Sequence, residues 1–251
     1  MTDALLLDLS GVLYDGDDVI DGAVGAVQRL QRSGLELRFI TNTSRKTRAN
    51  LLAHLHSLGF ELDEPQLFTA VDAACNWLRQ RGLRPYCLVH ENIRGEFDEF
   101  DQSDPNAVFI ADAGQGFTYD ALNRAFRLCQ AGAPLIGVGS NRYFKSAGDM
   151  FMDAGAFIHA IEFAAGVEAT IVGKPNPAFF ELVLRSAGSL ATSALMVGDD
   201  VFGDVEGALS ASIPACLVQT GKYRPGDEDR VTGEFQVVDS IVELVDQLLS
   251  A

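Results

Sequence analysis

Three carboxylates crowd the segment Gly198-Asp199-Asp200-Val201-Phe202-Gly203-Asp204, directly after the apolar run Leu195-Met196-Val197. Carboxylates this close repel one another unless a cation or hydrogen bonds compensate. An all-oxygen ligand set that also receives phosphate suits magnesium; a solvated acidic turn is the plainer reading. Asp8 ends a second apolar run, Leu5-Leu6-Leu7, and opens Asp8-Leu9-Ser10-Gly11-Val12-Leu13. A carboxylate at the end of a buried strand can serve as nucleophile and metal ligand together, and Gly11 lets the backbone turn sharply beside it. An Asp that merely caps a loop is the alternative. Thr41-Asn42-Thr43-Ser44 follows Arg38-Phe39-Ile40 and precedes a helical pattern. Hydroxyls, an amide and backbone N–H groups at a helix start suit phosphate, as they suit ordinary capping. In Gly173-Lys174-Pro175-Asn176-Pro177, two prolines hold the backbone at Lys174 extended before the next helix. A lysine fixed in this way can neutralise phosphate oxygens and an attacking carboxylate, although an isolated lysine is usually just solvated.

The elements needed to position these four patches are legible as alternation. Residues 4–9, 37–40, 194–197, 214–218 and 235–238 read as short apolar strands, and 23–33, 45–58, 177–187, 204–212 and a segment from Ser240 read as helices. Each patch then falls at a strand end, where open α/β sheets bind ligands. Such alternation means a parallel sheet with helices on both faces. The middle of the chain, residues 71–165, repeats the pattern with helices at 73–81 and 119–131, strands at 86–89, 107–111 and 135–138, and a polar surface loop at 98–106. It carries enough apolar residues for a core of its own, so the expected organisation is two domains, the second inserted into the first.

Composition narrows the classes of function. The chain has 251 residues, 19 Lys plus Arg against 35 Asp plus Glu, and a net charge of −16. Such a field repels nucleic acid and anionic membranes, so neither is an expected partner. It does not exclude a small phosphate ligand, because a local lysine and a metal can invert the potential inside one pocket. No apolar run approaches the roughly 18 residues needed to cross a bilayer. The N-terminal stretch lacks a basic segment and holds two acids, Asp3 and Asp8, which argues against a secretory signal. Cys75, Cys87, Cys129 and Cys216 show no CxxC spacing and read as reduced core residues, in keeping with a cytoplasmic location. His54 and His56, two positions apart, fall on different helix faces, and no zinc site is visible.

Taken together and in this order, the four patches resemble the four motifs of the haloacid dehalogenase (HAD) superfamily, and the resemblance spans nearly the whole chain. Residues 174–180 and 198–207, and then Thr220-Gly221-Lys222-Tyr223-Arg224, resemble its capped branch, as do Arg142-Tyr143-Phe144-Lys145 and residues 155–163. The resemblance implies an α/β fold with a Rossmann-like parallel-sheet core, residues 1–70 and 166–251, and an inserted α/β cap of the C2 type, residues 71–165. It further implies a phosphatase acting on a small phosphorylated substrate, with Asp8 forming a phosphoaspartyl intermediate that water hydrolyses. Magnesium would be held by Asp8, the backbone carbonyl of Ser10 and Asp199. Thr41, the N–H of Asn42 and Lys174 would hold the phosphoryl oxygens, and Asp204 would orient a metal-bound water or Lys174 rather than touch the ion. A homodimer made through the cap is compatible with the relatives.

This sequence departs from the superfamily's usual pattern at Ser10. Most of its phosphatases place a second Asp there, two residues after the nucleophile, as general acid and base. The capped branch resembles this chain in having Ser, so the change does not imply inactivity. Two other classes stay open: a haloalkanoate dehalogenase, which also uses an Asp nucleophile but needs no acidic metal site, and a phosphatase-like binding protein with little turnover. Arg142, Tyr143 and Lys145 are candidates for substrate specificity, with surface solvation as the plainer role for each.

Overall fold

The computed structural model describes residues 2–146 and 149–250. In chain order it runs β1 (Ala4–Asp8), β2 (Tyr14–Asp15), β3 (Asp18–Val19), α1 (Ala23–Ser33), β4 (Glu36–Thr41), α2 (Arg48–Ser57) and β5 (Leu67–Thr69). There follow α3 (Ala70–Gln80), β6 (Pro85–Leu88), β7 (Ala107–Ile110), α4 (Tyr119–Gln130), β8 (Leu135–Gly137), β9 (Tyr143–Ser146), β10 (Asp149–Met152), α5 (Ala154–Ala165) and β11 (Thr170–Ile171). The chain closes with α6 (Pro177–Ala187), β12 (Ala194–Gly198), a π-helical turn (Val201–Glu206) leading into α7 (Gly207–Ser210), β13 (Ala215–Val218), β14 (Gln236–Val238) and α8 (Ile241–Ser250). It divides into two compact units: Met1–Thr41 with Asn50–Phe68 and Pro175–Ala251, and Asn42–Ala49 with Thr69–Lys174.

The first unit is built on a six-stranded sheet of order β14-β13-β12-β1-β4-β5. β1 and β12 are buried along their whole length, as strands covered on both faces must be, which is why each reads as an unbroken apolar run. They pair in parallel with Leu7 opposite Val197, while β1 pairs with β4 with Asp8 opposite Ile40. Strand order reverses at β1: the chain moves to β4 and β5 on one side and later fills the other with β12, β13 and β14. That is the kind of point at which the carboxyl ends of strands open a ligand crevice. α1 turns Ala23, Ala26, Val27 and Leu30 inward at helical spacing and stops at Gly34, whose φ of 83° is open to glycine at little cost.

The second unit has a four-stranded parallel sheet of order β11-β8-β7-β6 and an apolar core of its own, with Phe97, Phe109, Ile110, Ile136 and Ile158 among its buried residues. Three helices start away from the sequence expectation, and the one expected over 73–81 begins at Ala70. The helix expected over 45–58 begins at Arg48, because Ser44 and Arg45 are drawn away to Asp112: the Ser44 hydroxyl accepts from the Asp112 N–H (3.1 Å), and the Arg45 Nε donates to its carboxylate. The helix expected over 204–212 starts instead as the π-helical turn at Val201, capped by Asp200, and ends at Ser210. The antiparallel β9–β10 hairpin and α5 were not legible as elements. β10 exposes Met150, Phe151 and Met152 in succession, so it lacks in-and-out alternation, and α5 buries Ala154, Ile158 and Ile161 at helical spacing but is apolar on its outer face too, leaving Phe163 in solvent.

Candidate active site

Asp8 is the last residue of β1, and Asp199 lies one residue beyond β12, so two paired strands deliver two carboxylates to the same end of the sheet. The π-helical turn folds Asp204 back beneath them. Gly198 makes room for it, since a Cβ there would lie 2.1 Å from Asp204 Oδ2. One ligand oxygen from each of Asp8, Asp199 and Asp204 lies within 4.8 Å of the others, and all three residues are buried. The sequence expectation gave Asp204 the part of orienting a metal-bound water or Lys174; its carboxylate lies in the same cluster as Asp8 and Asp199. No other group of this kind occurs among the described residues.

Burial, above all, pushes the Asp199 carboxyl up to about 8; nearby Lys222 opposes this, while Asp8 and Asp204 add to it. Asp199 Oδ2 accepts a hydrogen bond from the Lys222 N–H (2.8 Å), whereas its Oδ1 is buried without a hydrogen-bond partner. An orphaned buried carboxylate oxygen on one member of a cluster of three buried carboxylates makes a donor set that a hard divalent cation would satisfy, so these residues fit a metal. Burial alone would raise Asp200 too, but the Lys222 ammonium at 2.6 Å and the N–H groups of Gly203 and Phe202 more than offset it and hold that carboxyl below its ordinary range. Lys222 is itself raised: burial works against its charge, and Asp200 and Asp199 outweigh it. The Tyr14 phenol is also raised, by burial and then by Asp8, and stays protonated.

Gly11 shows how tightly this cluster is packed. Its φ is +87°, and a Cβ there would lie 2.0 Å from Asp199 Oδ2. Gly11→Ala is therefore expected to destabilise the protein by about 1–3 kcal/mol through strain and to displace the Asp199 carboxylate. Thermal unfolding with and without magnesium checks this: the stabilisation by metal should shrink in the variant, and an unchanged metal response would rule it out.

Thr41 is buried at the end of β4, one residue past the partner of Asp8. Ser10 has an exposed side chain and bridges to Tyr14. Asn42 and Lys174 belong to the second unit, where they clasp each other. The Lys174 N–H donates to Asn42 Oδ1 (2.9 Å), and Asn42 Nδ2 donates to the Lys174 carbonyl (2.8 Å) and to Asn141 Oδ1 (3.1 Å). Each unit thus gathers part of the expected set: Asp8, Thr41 and Asp199 in the first, Asn42 and Lys174 in the second. Of the specificity candidates, Arg142 is exposed and Tyr143 half-buried, and the Lys145 side chain lies outside the described residues. Lys222 is the residue that sequence reasoning missed. Its signal was available, since Thr220-Gly221-Lys222 follows a strand of the same sheet as the other patches. The four cysteines are free, and burial pushes their thiols up to about 11 at Cys129 and about 12 at Cys75, Cys87 and Cys216, which leaves them poor nucleophiles. No helix among the described residues is long and apolar enough to cross a membrane.

The chain belongs to the haloacid dehalogenase-like hydrolases. The family's model under that description matches residues 5–103, and a second, described as HAD-hydrolase-like, matches residues 171–244. Among curated proteins, the chain is 47% identical to the phospholysine phosphohistidine inorganic pyrophosphate phosphatase of Rattus norvegicus, covering 98% of this chain and 93% of that one. It is 40% identical to the haloacid dehalogenase-like hydrolase domain-containing protein 2 of Bos taurus, over 98% of this chain and 95% of the relative. Its fold is similar to that of a 4-nitrophenylphosphatase from Thermotoga maritima, with a TM-score of 0.89, 24% identity and coverage of 98% and 97%. A thermostable NPPase mutant from Geobacillus stearothermophilus is also similar, with a TM-score of 0.84, 26% identity and 96% of each chain covered.

Proposed function

We propose that this chain is a magnesium-dependent phosphatase that hydrolyses a small phosphorylated substrate through a phosphoaspartyl intermediate on Asp8. The observation that carries the reading is the buried cluster of Asp8, Asp199 and Asp204 with its unpartnered Asp199 Oδ1; the names of the relatives support it. In this reading Asp8, Asp199 and the Ser10 carbonyl hold the cation, with Asp204 beside them. When bound, magnesium offsets the charge shared by the attacking carboxylate and the phosphoryl oxygens. The Asp8 carboxylate attacks phosphorus, the bond to the leaving group breaks, and water then cleaves the acyl phosphate to regenerate Asp8. Thr41, the Asn42 N–H and Lys174 hold the phosphoryl oxygens as charge on them grows. Residues 71–165 make up a cap domain of the C2 type, and residues 1–70 and 166–251 the core. Phosphate release from a panel of phosphorylated compounds, with and without chelator, tests this. Release that needs magnesium is expected. Chloride release from a haloalkanoate without added metal would favour a dehalogenase, and binding without turnover a phosphatase-like binding protein.

Ser10 narrows the substrate class. A positioned general acid contributes about 10²–10⁴-fold to rate, and a serine hydroxyl is too weakly acidic to supply that at neutral pH. Substrates that leave with little help are therefore favoured: pyrophosphate, aryl phosphates and phosphorus–nitrogen bonds. Simple alkyl phosphates are expected to be slow, and Ser10→Asp to narrow the gap. Rate plotted against leaving-group pKa for both forms, with the chemical step limiting, checks this. A shallow dependence that Ser10→Asp leaves unchanged would show that another group delivers the proton.

A further inference from the structure

Lys222 meets the adjacent aspartates Asp199 and Asp200 through two different atoms. Its backbone N–H donates to Asp199 Oδ2 (2.8 Å), and its ammonium donates to Asp200 Oδ2 (2.6 Å). The other Asp200 oxygen, Oδ1, accepts from the N–H groups of Phe202 (3.0 Å) and Gly203 (3.1 Å). Both Asp200 oxygens are thus committed, whereas Asp199 keeps Oδ1 buried and without a hydrogen-bond partner. The segment carrying Lys222 is pinned on both sides. The Thr220 hydroxyl donates to the Gly11 carbonyl, and Gly221, at φ +64°, comes so close that a Cβ on it would lie 2.2 Å from Asp199 Oδ2. Further along, Arg230 pairs with Asp227 (2.7 Å) and lies over the ring of Phe202 (4.7 Å), in the turn that Asp200 caps.

We infer that Lys222 is the positioning residue of the acidic cluster: its N–H holds Asp199 with Oδ1 open to the cation, and its ammonium withdraws Asp200 from it. Two chemically identical neighbours are sorted into ligand and non-ligand by which Lys222 atom each one meets. The inference rests on the metal reading above and adds that the ammonium, a fixed positive charge beside the site, weakens cation binding. Removing that charge leaves Asp200 uncompensated and the site more negative. Removing the Asp200 charge instead leaves the ammonium unopposed.

Mn²⁺ binding to the whole chain, titrated by electron paramagnetic resonance, tests this with Lys222→Met, Lys222→Arg and Asp200→Asn. Lys222→Met is expected to bind Mn²⁺ about threefold or more tightly than the native protein, Asp200→Asn about threefold or more weakly, and Lys222→Arg like the native protein. Thermal unfolding in chelator and in saturating magnesium gives a second readout: Lys222→Met should lose more stability in chelator than in metal. An ion pair that only braces the fold would lower stability equally in both conditions and would not move Mn²⁺ affinity in opposite directions. Variants that bind Mn²⁺ like the native protein overturn this inference alone. A native protein that binds no Mn²⁺ overturns the metal reading and this inference with it.

Discussion

Asp8→Asn is expected to remove turnover and leave the fold standing. The substitution keeps the shape of the side chain, and the apolar residues that seat β1, Leu5 to Leu7, are untouched in the core. An amide is a poor nucleophile and a weaker ligand for a hard cation. The rate should therefore fall by roughly six orders of magnitude, the scale seen when a catalytic nucleophile is removed and only binding and electrostatics remain at work. It also removes one of the negative charges that push Asp199 up, so stability in chelator should hold or rise. Phosphate release measured alongside thermal unfolding checks both. Full activity in the variant, or in the native protein under excess chelator, would sink the mechanism.

Lys174→Ala is expected to have the next largest effect. Lys174 is buried; in the role proposed for it, on the phosphoryl oxygens, its loss removes one partner from a desolvated group of charges, which costs on the order of 3–5 kcal/mol. As lost transition-state stabilisation, that is a fall in kcat/KM of more than about a hundredfold. The fold has reason to survive, since the clasp with Asn42 uses only the main-chain N–H and carbonyl of Lys174, which alanine retains. Lys174→Arg should not restore the rate, because a planar fork does not replace a compact ammonium. A change in kcat/KM below about tenfold would place Lys174 outside the site.

The sheet was legible in the sequence because strands covered on both faces must be apolar without interruption, and Leu5-Leu6-Leu7 and Leu195-Met196-Val197 each end in glycine or aspartate. Asp8 and Asp199 stood out for the same reason: a carboxylate where an apolar run stops must have a use or a partner. Lys222 did not stand out, because its place depends on a loop whose path is set by the positive φ of Gly221, and half of its role belongs to a main-chain N–H. The β9–β10 hairpin and α5 were hidden because apolar side chains sit on their exposed faces, Met150 to Met152 in one and Phe163 in the other, which blurs the contrast between inside and outside. The partnership of Asn42–Ala49 with the second unit was hidden because it is non-local. Nothing near Arg45 in the chain announces that Asp112 will hold it.

The pairing of β1 with β4 on one side and β12 on the other has a consequence for how the molecule is made. Ala4 lies beside Glu36 and also beside Ala194. A ribosome adding about 5–20 residues per second supplies the first neighbour within seconds and the second only after roughly ten to forty. In that interval a strand of consecutive leucines has one edge unpaired, a template for joining other chains. Everything in Asn42–Ala49 and Thr69–Lys174, by contrast, has emerged before β12 begins, so the second unit can close while the first waits. A nascent chain halted before β12 therefore holds Asp8 without Asp199. It holds one of the three clustered carboxylates and lacks the other two, while its leucine edge stays open to other chains.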